Sequence, residues 1–230
     1  MPNKAIGFSA WLLVGWMVLA GARVVSGDTY YVAPGGNDGN DGTSWAQAEA
    51  TIQAGVNDAT NAGDEVIVSN GTYVLAGTVT IGQAITIRGF SGNRADVIVD
   101  GDATCQCFSA TAAITLSSLT MTNGYGINEA YGGGIRMYAA GTITNCLFVN
   151  NVSRGGGGAR VLGTGTVVDC RFAGNRGIEY SAALIMDSAS GIVRRCTFAT
   201  NTANNYAAVW AMSGCAFYDC TFICNSNTLS

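Results

Sequence analysis

A short phrase, Cys-x-Phe-x-x-Asn, occurs four times in the last third of the chain and constrains the fold more than any other feature. Successive copies begin 24, 26 and 24 residues apart, a period typical of solenoids, in which each repeat forms one coil that stacks on the last. The repeated residues are Cys146, Phe148, Asn151, Cys170, Phe172, Asn175, Cys196, Phe198, Asn201, Cys220, Phe222 and Asn225. The repeat therefore predicts the architecture of the chain and leaves its activity open.

The spacing within each copy predicts short strands joined by bends. Residues i and i+2 of a strand share a face, so the Cys and the Phe of each phrase face inward together. An apolar residue lies three positions before each Cys, which breaks this alternation and places a bend at Asn145, Asp169, Arg195 and Asp219. Stacked Asn amides can hydrogen-bond along the solenoid axis. Because no helical periodicity separates the strands, the pattern predicts an all-β, single-stranded parallel β-helix.

The N-terminal third is organised differently. Residues 30–32 alternate as a strand, residues 35–43 form a turn-rich loop, and Ser44 is the predicted cap of an amphipathic helix over residues 45–61. We expect this helix to cover the open end of the first coil. Short strands are predicted after it at residues 65–69, 73–74, 79–81, 85–88 and 97–99.

Residues 1–27 have the features of a secretory signal peptide, because Lys4 precedes an uncharged stretch and compact residues end it. A membrane anchor is the alternative, since 18 uncharged residues are borderline for a span. Cleavage would leave an N-terminal strand, loop and capping helix at 28–64 and β-helix coils at 65–230, with no membrane span. The chain stops five residues after the last repeated Asn, so we expect missing coils of a longer protein, or another chain, to cover that end.

Charge excludes several kinds of function. Removing Lys4 and Arg23 from the eleven basic residues leaves nine Arg against fifteen acidic residues, a net charge of −6, with no Lys and no His. An acidic chain without a basic cluster argues against nucleic acid as a partner. Histidine triads, zinc sites with His and lysine bases are excluded from the processed chain.

All eight Cys lie after residue 104, and export would permit disulfides between them. The four repeat Cys should stack about 4.8 Å apart, a separation that a disulfide can bridge. Parallel side chains in register seldom reach disulfide torsions, so a column of buried thiols is favoured over disulfides.

Three segments carry a family resemblance: residues 30–45 (YYVAPGGNDGNDGTSW), 51–55 (TIQAG) and 63–73 (GDEVIVSNGTY). Together they resemble the N-terminal segment of pectate-lyase-like right-handed parallel β-helix proteins. That family includes polysaccharide lyases, epimerases and many secreted bacterial proteins of unassigned role. The later coils resemble the repeats of polymorphic outer-membrane proteins, which share a Gly-Gly-apolar phrase and Phe-x-x-Asn. These resemblances imply a right-handed helix that is secreted, extracellular or on the outer-membrane surface.

The same resemblance implies how a lyase of this type would work, with calcium on a carboxylate cluster and an Arg or Lys base. The candidate catalytic residues are Asp169, Arg171, Arg195 and Asp219, and the candidate calcium ligands are Asp169 and Asp219. Alternating Asp and Arg on neighbouring strands also describes an ordinary cross-strand charge ladder, which is the favoured interpretation. Calcium is expected only for a lyase, and no other cofactor is predicted. Asp187 is a lone acid with no predicted partner.

Exposed aromatic side chains suggest binding instead of catalysis. Stacked strands give a long flat face, and sugar rings can lie on aromatic rings that project from it. The candidates are Tyr125, Tyr131, Tyr138, Tyr180, Tyr206 and Trp210, and packing on neighbouring coils is the alternative role. We therefore expect a secreted or cell-surface β-helix protein that binds, or adheres to, extracellular polysaccharide or a surface partner. A calcium-dependent uronate lyase is the alternative function, and purely structural surface display is a third.

Overall fold

A computed structural model describes residues 27–127 and 131–228 as a parallel β-helix with one short α-helix. The predicted signal peptide lies outside the described residues except for Gly27. Within the described part, no helix is long and apolar enough to cross a membrane.

Three elements precede the first coil: β1 (Thr29–Val32), one turn of 3-10 helix (Trp45–Gln47) and α1 (Ile52–Asp58). The strands of the first coils are β2 (Glu65–Val68), β3 (Gly71–Val74), β4 (Val79–Ile81), β5 (Thr86–Gly89), β6 (Val97–Asp100), β7 (Phe108–Ala110), β8 (Ile114–Ser117), β9 (Thr120–Thr122), β10 (Tyr125–Gly126) and β11 (Ile135–Met137). The next are β12 (Gly141–Thr144), β13 (Leu147–Val149), β14 (Val152–Ser153), β15 (Ala159–Val161), β16 (Gly165–Val168), β17 (Arg171–Ala173), β18 (Arg176–Gly177) and β19 (Leu184–Met186). The last are β20 (Ile192–Arg194), β21 (Thr197–Ala199), β22 (Thr202–Ala203), β23 (Val209–Ala211), β24 (Ala216–Tyr218), β25 (Thr221–Ile223) and β26 (Ser226–Asn227).

Equivalent strands of successive coils pair in parallel and form four sheets. Sheet A has eight strands in the order β1-β2-β5-β8-β12-β16-β20-β24, and sheet B has seven in the order β3-β6-β9-β13-β17-β21-β25. Sheet C has six in the order β4-β7-β11-β15-β19-β23, and sheet D has five short strands in the order β10-β14-β18-β22-β26. The chain thus winds about six turns around one apolar interior. The predicted β-helix is confirmed.

Each predicted strand begins and ends within two residues of the corresponding strand in the structure, and β4 has the predicted bounds. The predicted bend between sheets A and B is a left-handed corner. Asn145, Asp169, Arg195 and Asp219 all occupy it, with φ between 49° and 55°. Asn and Asp tolerate this conformation better than other side chains, so Arg195 is the unusual member of the set.

The phenylalanines of the repeat form one stack inside the helix. Phe148, Phe172, Phe198 and Phe222 pair in register, with ring centroids 4.6, 5.0 and 4.9 Å apart and ring planes within 11° of parallel. The first three rings are fully buried. Gly158 lies against this stack, because a Cβ there would sit 2.7 Å from Cδ1 of Phe172. The small residues of the repeat therefore make room for the rings.

The asparagine that closes each phrase forms a buried amide ladder. The Asn175 amide donates to Oδ1 of Asn201 at 3.0 Å and to the Phe148 carbonyl at 2.9 Å. Its Oδ1 accepts from the backbone N and the side-chain Nδ2 of Asn151, at 3.1 and 3.0 Å. Asn201 and Asn225 continue the ladder with a 2.8 Å bond. Each interior amide is fully hydrogen-bonded, and these bonds offset the free-energy cost of removing the amide from water.

The repeat cysteines also form an inward column, and all eight cysteines are free thiols in the structure. Cys146, Cys170 and Cys196 are at most 2% exposed. Burial is the main cause that raises the pKa of Cys170 well above its usual value, and a hydrogen bond with Cys170, followed by burial, raises the pKa of Cys196. The column therefore consists of neutral thiols that pack as small apolar groups.

The predicted helix over residues 45–61 is wrong in its extent. The chain is extended at Glu49, which bridges Val32 of β1, so the segment divides into a 3-10 turn and the shorter α1. Ser44 makes no side-chain capping bond, and Thr51 caps α1 by accepting from Ala54 N. Helix α1 contacts β1, β2 and β4. Its role as a cover for the first coil stays a prediction, as does a cover of further coils or another chain at the other end.

Glu49 lies in an unusual environment between β1, the loop after it and α1. It is 1% exposed, and its Oε2 has no hydrogen-bond partner. Burial, followed by the negative charges of Asp58, Asp38 and Asp41, raises the pKa of Glu49 to about 7. Below about pH 7 the Glu49 carboxyl is therefore mainly protonated in the folded chain.

We expect Phe172→Ala to lower the free energy of unfolding by about 3–5 kcal/mol, because it opens a cavity between two stacked rings. Phe222→Ala is the control, since that ring is 51% exposed and stacks on one face only. Urea denaturation monitored by circular dichroism measures the free energy of unfolding of both variants. A loss below about 1 kcal/mol for Phe172→Ala would place the ring outside the interior.

We expect stability to depend on pH through Glu49. Because the pKa rises from 4.5 to about 7 on folding, the free energy of unfolding falls as pH rises across that interval and then levels off. Glu49→Gln keeps the shape without the charge, so it should raise the melting temperature at about pH 8 and give no gain at about pH 4. Equal shifts at both pH values in thermal melts would contradict this.

Candidate functional site

The predicted catalytic cluster at the corner contains an ion pair. Arg195 donates to both carboxylate oxygens of Asp169 at 2.7 Å, and both side chains are about half exposed. The hydrogen bond from Arg195 is the largest cause that lowers the pKa of Asp169. The carboxylate oxygens that a calcium ion would need are thus engaged by a guanidinium.

The other two candidates do not complete a metal site around that pair. Asp219 lies nearest to Arg194, at 4.0 Å, and both are well exposed. Asp169 and Asp219 occupy the same corner two coils apart, about 10 Å along the axis, with Arg195 between them. Arg171 is exposed at the start of β17. In the described part of the chain, no group of three or more Cys, Asp or Glu residues is placed to hold a metal ion.

The loop between β5 and β6 packs on this corner. The sequence alone did not indicate that contact. Between β5 and β6, Arg94 donates to the Asp169 carbonyl at 2.8 Å, and its own carbonyl accepts from the Thr120 hydroxyl at 2.7 Å. Asn145 donates to the Gly92 carbonyl at 2.9 Å. The contact separations of 26 to 75 residues show why no local pattern revealed it. These hydrogen bonds hold the loop between β5 and β6 against the corner that carries Asp169.

A different surface gathers aromatic side chains. We call it the aromatic groove, a concavity of about 280 Å³ on the outer side of sheet C. Its lining residues are Tyr131, Arg160, Tyr180, Ile185, Asp187, Tyr206 and Trp210. The groove thus brings together four of the six aromatic candidates with Arg160 and Asp187, a cation and an anion whose contact the sequence did not predict.

Strand register builds the floor of the groove. Arg160, Ile185 and Trp210 are paired neighbours on β15, β19 and β23, so their side chains form one outward column. Arg160 Nε donates to Asp187 Oδ2 at 2.5 Å, and the two side chains are only 20% and 18% exposed. Asp187 was predicted to have no partner, and that prediction is wrong because Asp187 lies one coil on from Arg160.

Loop residues form the rim. Tyr131 and Tyr180 come from loops two coils apart, yet their ring centroids are 6.3 Å apart. The loop between them carries Gly155, where a Cβ would lie 3.0 Å from Tyr131 Cδ1 and 3.1 Å from Tyr180 Cβ. Arg160 stacks over the Tyr131 ring at 4.2 Å. Glycine at this position therefore lets the two tyrosines approach each other and the floor.

The remaining aromatic candidates lie elsewhere. Tyr125 is on β10 in sheet D, and Tyr138 follows β11, where Arg136 stacks over its ring at 4.4 Å. Two larger concavities, of about 530 and 540 Å³, are lined by the interior of the last described coil and by the start of α1 with the loop before β4. Neither combines exposed aromatic rings with a charged pair, so the aromatic groove is the better candidate site.

Comparison with known proteins supports the fold and leaves the chemistry open. Pectate lyase Pel9A matches with a TM-score of 0.55 and 17% identity, over 77% of this chain and 55% of that chain. A rhamnogalacturonan lyase matches at 0.42 with 14% identity, over 77% and 74%, and the Aspergillus niger pectin methylesterase at 0.43 with 13%, over 89% and 87%. No protein-family model and no curated protein matches the sequence. The chain is a parallel β-helix protein with the fold of pectate lyase, and it spans about half of that lyase's length.

We expect Asp169→Asn to lower the free energy of unfolding by less than about 1 kcal/mol, because exposed ion pairs contribute little. Asp219→Asn is the matched control, since its nearest cationic nitrogen is 4.0 Å away. Chemical denaturation at neutral pH measures both variants. A loss several-fold larger for Asp169→Asn would mean that the corner pair is more than a surface ladder.

Proposed function

We propose that this protein binds extracellular polysaccharide in the aromatic groove and acts by binding or adhesion. The single observation that carries the proposal is the union of Tyr180, Tyr206 and Trp210 with the Arg160–Asp187 pair in one concave surface. Tyr180 and Tyr206 are 44% and 49% exposed, so their rings are available to a ligand.

The two kinds of side chain serve the two faces of a sugar. The C–H face of a pyranose is apolar and packs on an aromatic ring, while its hydroxyl groups seek hydrogen-bond partners. Asp187 can accept from a hydroxyl and Arg160 can donate to one, and each already holds the other in place. A floor on paired strands keeps these groups fixed, which reduces the ordering cost of binding.

We also propose that the protein is secreted and acts outside the cell, at an extracellular or outer-membrane surface. The predicted signal peptide and the acidic, lysine-free sequence after it support this location. The resemblance of the coils to repeats of polymorphic outer-membrane proteins supports display at a surface.

A calcium-dependent uronate lyase remains the alternative, and similarity of fold to a pectate lyase is the observation in its favour. Fold alone does not specify activity. Incubation with polygalacturonate or alginate, with and without calcium, tests it by the ultraviolet absorbance of the unsaturated product. Product formation that Arg195→Ala abolishes would replace binding with catalysis.

We expect Trp210→Ala and Tyr180→Ala each to weaken polysaccharide binding at least about tenfold, because each removes a stacking surface. Tyr218→Ala is the control, since Tyr218 is 54% exposed but lies on sheet A. Affinity electrophoresis through polysaccharide gels, followed by calorimetry with soluble oligosaccharides, measures the change. Equal retardation of all three variants and the wild type would remove the groove as the binding site.

A further inference from the structure

We infer that the glycan held by the aromatic groove is neutral, made of uncharged sugar units, and not a uronate polymer. This inference rests on the proposed function and specifies its ligand. A sugar that enters the groove meets charged side chains on its floor and its rim, and the field of the whole protein on its approach.

The floor has no net charge. Among the described residues that line the groove, Arg160 is the only cation and Asp187 is the only anion. Their 2.5 Å contact is largely shielded from water, so the two charges cancel at close range. A uronate carboxylate placed here would compete with Asp187 for Arg160 and would leave two like charges close together. That exchange is unfavourable, because displaced Asp187 would lose its own partner.

The rim is balanced in the same way. Arg154, which lies 5.9 Å from the Tyr131 ring, donates to both carboxylate oxygens of Glu179 at 3.0 and 2.8 Å. Each of the two arginines near Tyr131 is therefore already matched by a carboxylate from the next coil. The bidentate contact engages Nε and Nη2 of Arg154 and leaves the Arg154–Glu179 pair with no net charge.

Arg136 is the cation that a charged ligand would have to use instead. It precedes Arg160 in the same column of sheet C, and the structure gives it no salt bridge among the described residues. Its guanidinium stacks on Tyr138 at 4.4 Å, and Arg136 does not line the groove. A polymer held on Trp210 and Tyr180 would reach Arg136 only beyond the Arg160–Asp187 pair.

The approach to the groove also disfavours anions. The protein carries fifteen acidic residues against eleven basic ones, so a polyanion meets a repulsive average field at low ionic strength. A neutral sugar avoids this field and still uses every group that the groove presents. Its apolar face stacks on the rings, while its hydroxyls donate to Asp187 and accept from Arg160.

The test compares neutral and acidic oligosaccharides of equal length on the full chain. Calorimetry is run with cello-, xylo- and manno-oligosaccharides and with oligogalacturonate. We expect at least one neutral series to bind at least about tenfold more tightly than oligogalacturonate. Its affinity should change less than about twofold between low salt and 0.5 M NaCl, because screening acts on charges alone.

A charge variant gives the sharper result. Asp187→Asn leaves Arg160 without its anion, so we expect the affinity for oligogalacturonate to rise at least about tenfold while the best neutral ligand binds several-fold more weakly. Asp219→Asn is the matched control, since it removes the same charge at the corner between sheets A and B, away from the lining of the groove. It should leave the order of preference unchanged. Circular dichroism confirms that both variants are folded.

The outcomes separate the two proposals. If the wild type prefers oligogalacturonate and Trp210→Ala abolishes that binding, the groove is a glycan site and the inference of a neutral ligand is overturned. Oligogalacturonate binding that is lost in Arg136→Gln would overturn it in the same way and identify the cation used. If no oligosaccharide binds, or if binding is unaffected by Trp210→Ala, the proposed function fails and the inference fails with it.

Discussion

Parallel pairing in register is the constraint on which the rest of this structure depends. It places the same side chain of each coil directly over its counterpart, at about the strand spacing. Phe172 therefore meets two phenylalanines, and Asn175 meets two asparagines. A residue type that packs well against copies of itself is therefore favoured at the same position of every coil, which explains why the sequence repeats.

The interior contains both apolar and polar columns of side chains, and the two kinds contribute differently to the fold. The ring stack and the thiol column fill space without any need for hydrogen bonds, whereas the amide ladder has its donors and acceptors satisfied within the helix. A slip by one residue would pair Phe172 with Leu147 or Val149 instead of Phe148, and it would move Asn175 out of line with Asn151 and break the amide ladder. Polar groups in the interior thus specify the register, while the apolar groups supply most of the stability.

Residues that act within one coil were predictable from the sequence, and residues that meet between unrelated segments were not. The inward Cys and Phe, the ladder asparagines and the corner at Asp169 follow from the spacing of the repeat. The break in the predicted helix was hidden, because Glu49 is held in an extended conformation by β1, seventeen residues earlier. The aromatic candidates were visible as residue types, but the sequence did not indicate which would share a surface. The Arg160–Asp187 pair depends on register to within one residue on sheet C, and predicted strand ends are less accurate than that.

The groove spans several coils of a molecule in which each coil contacts mainly its two neighbours. Tyr131 and Arg160 belong to earlier coils, whereas Trp210 lies on β23, the last strand of sheet C in the described chain. In such quasi-one-dimensional assemblies the stability of each coil depends on its interfaces with the two neighbouring coils. A sugar chain that touches Tyr131 at one end and Trp210 at the other would add a contact that spans several of these interfaces. Ligand occupancy and the pairing of those coils would then be thermodynamically linked, so each would strengthen the other.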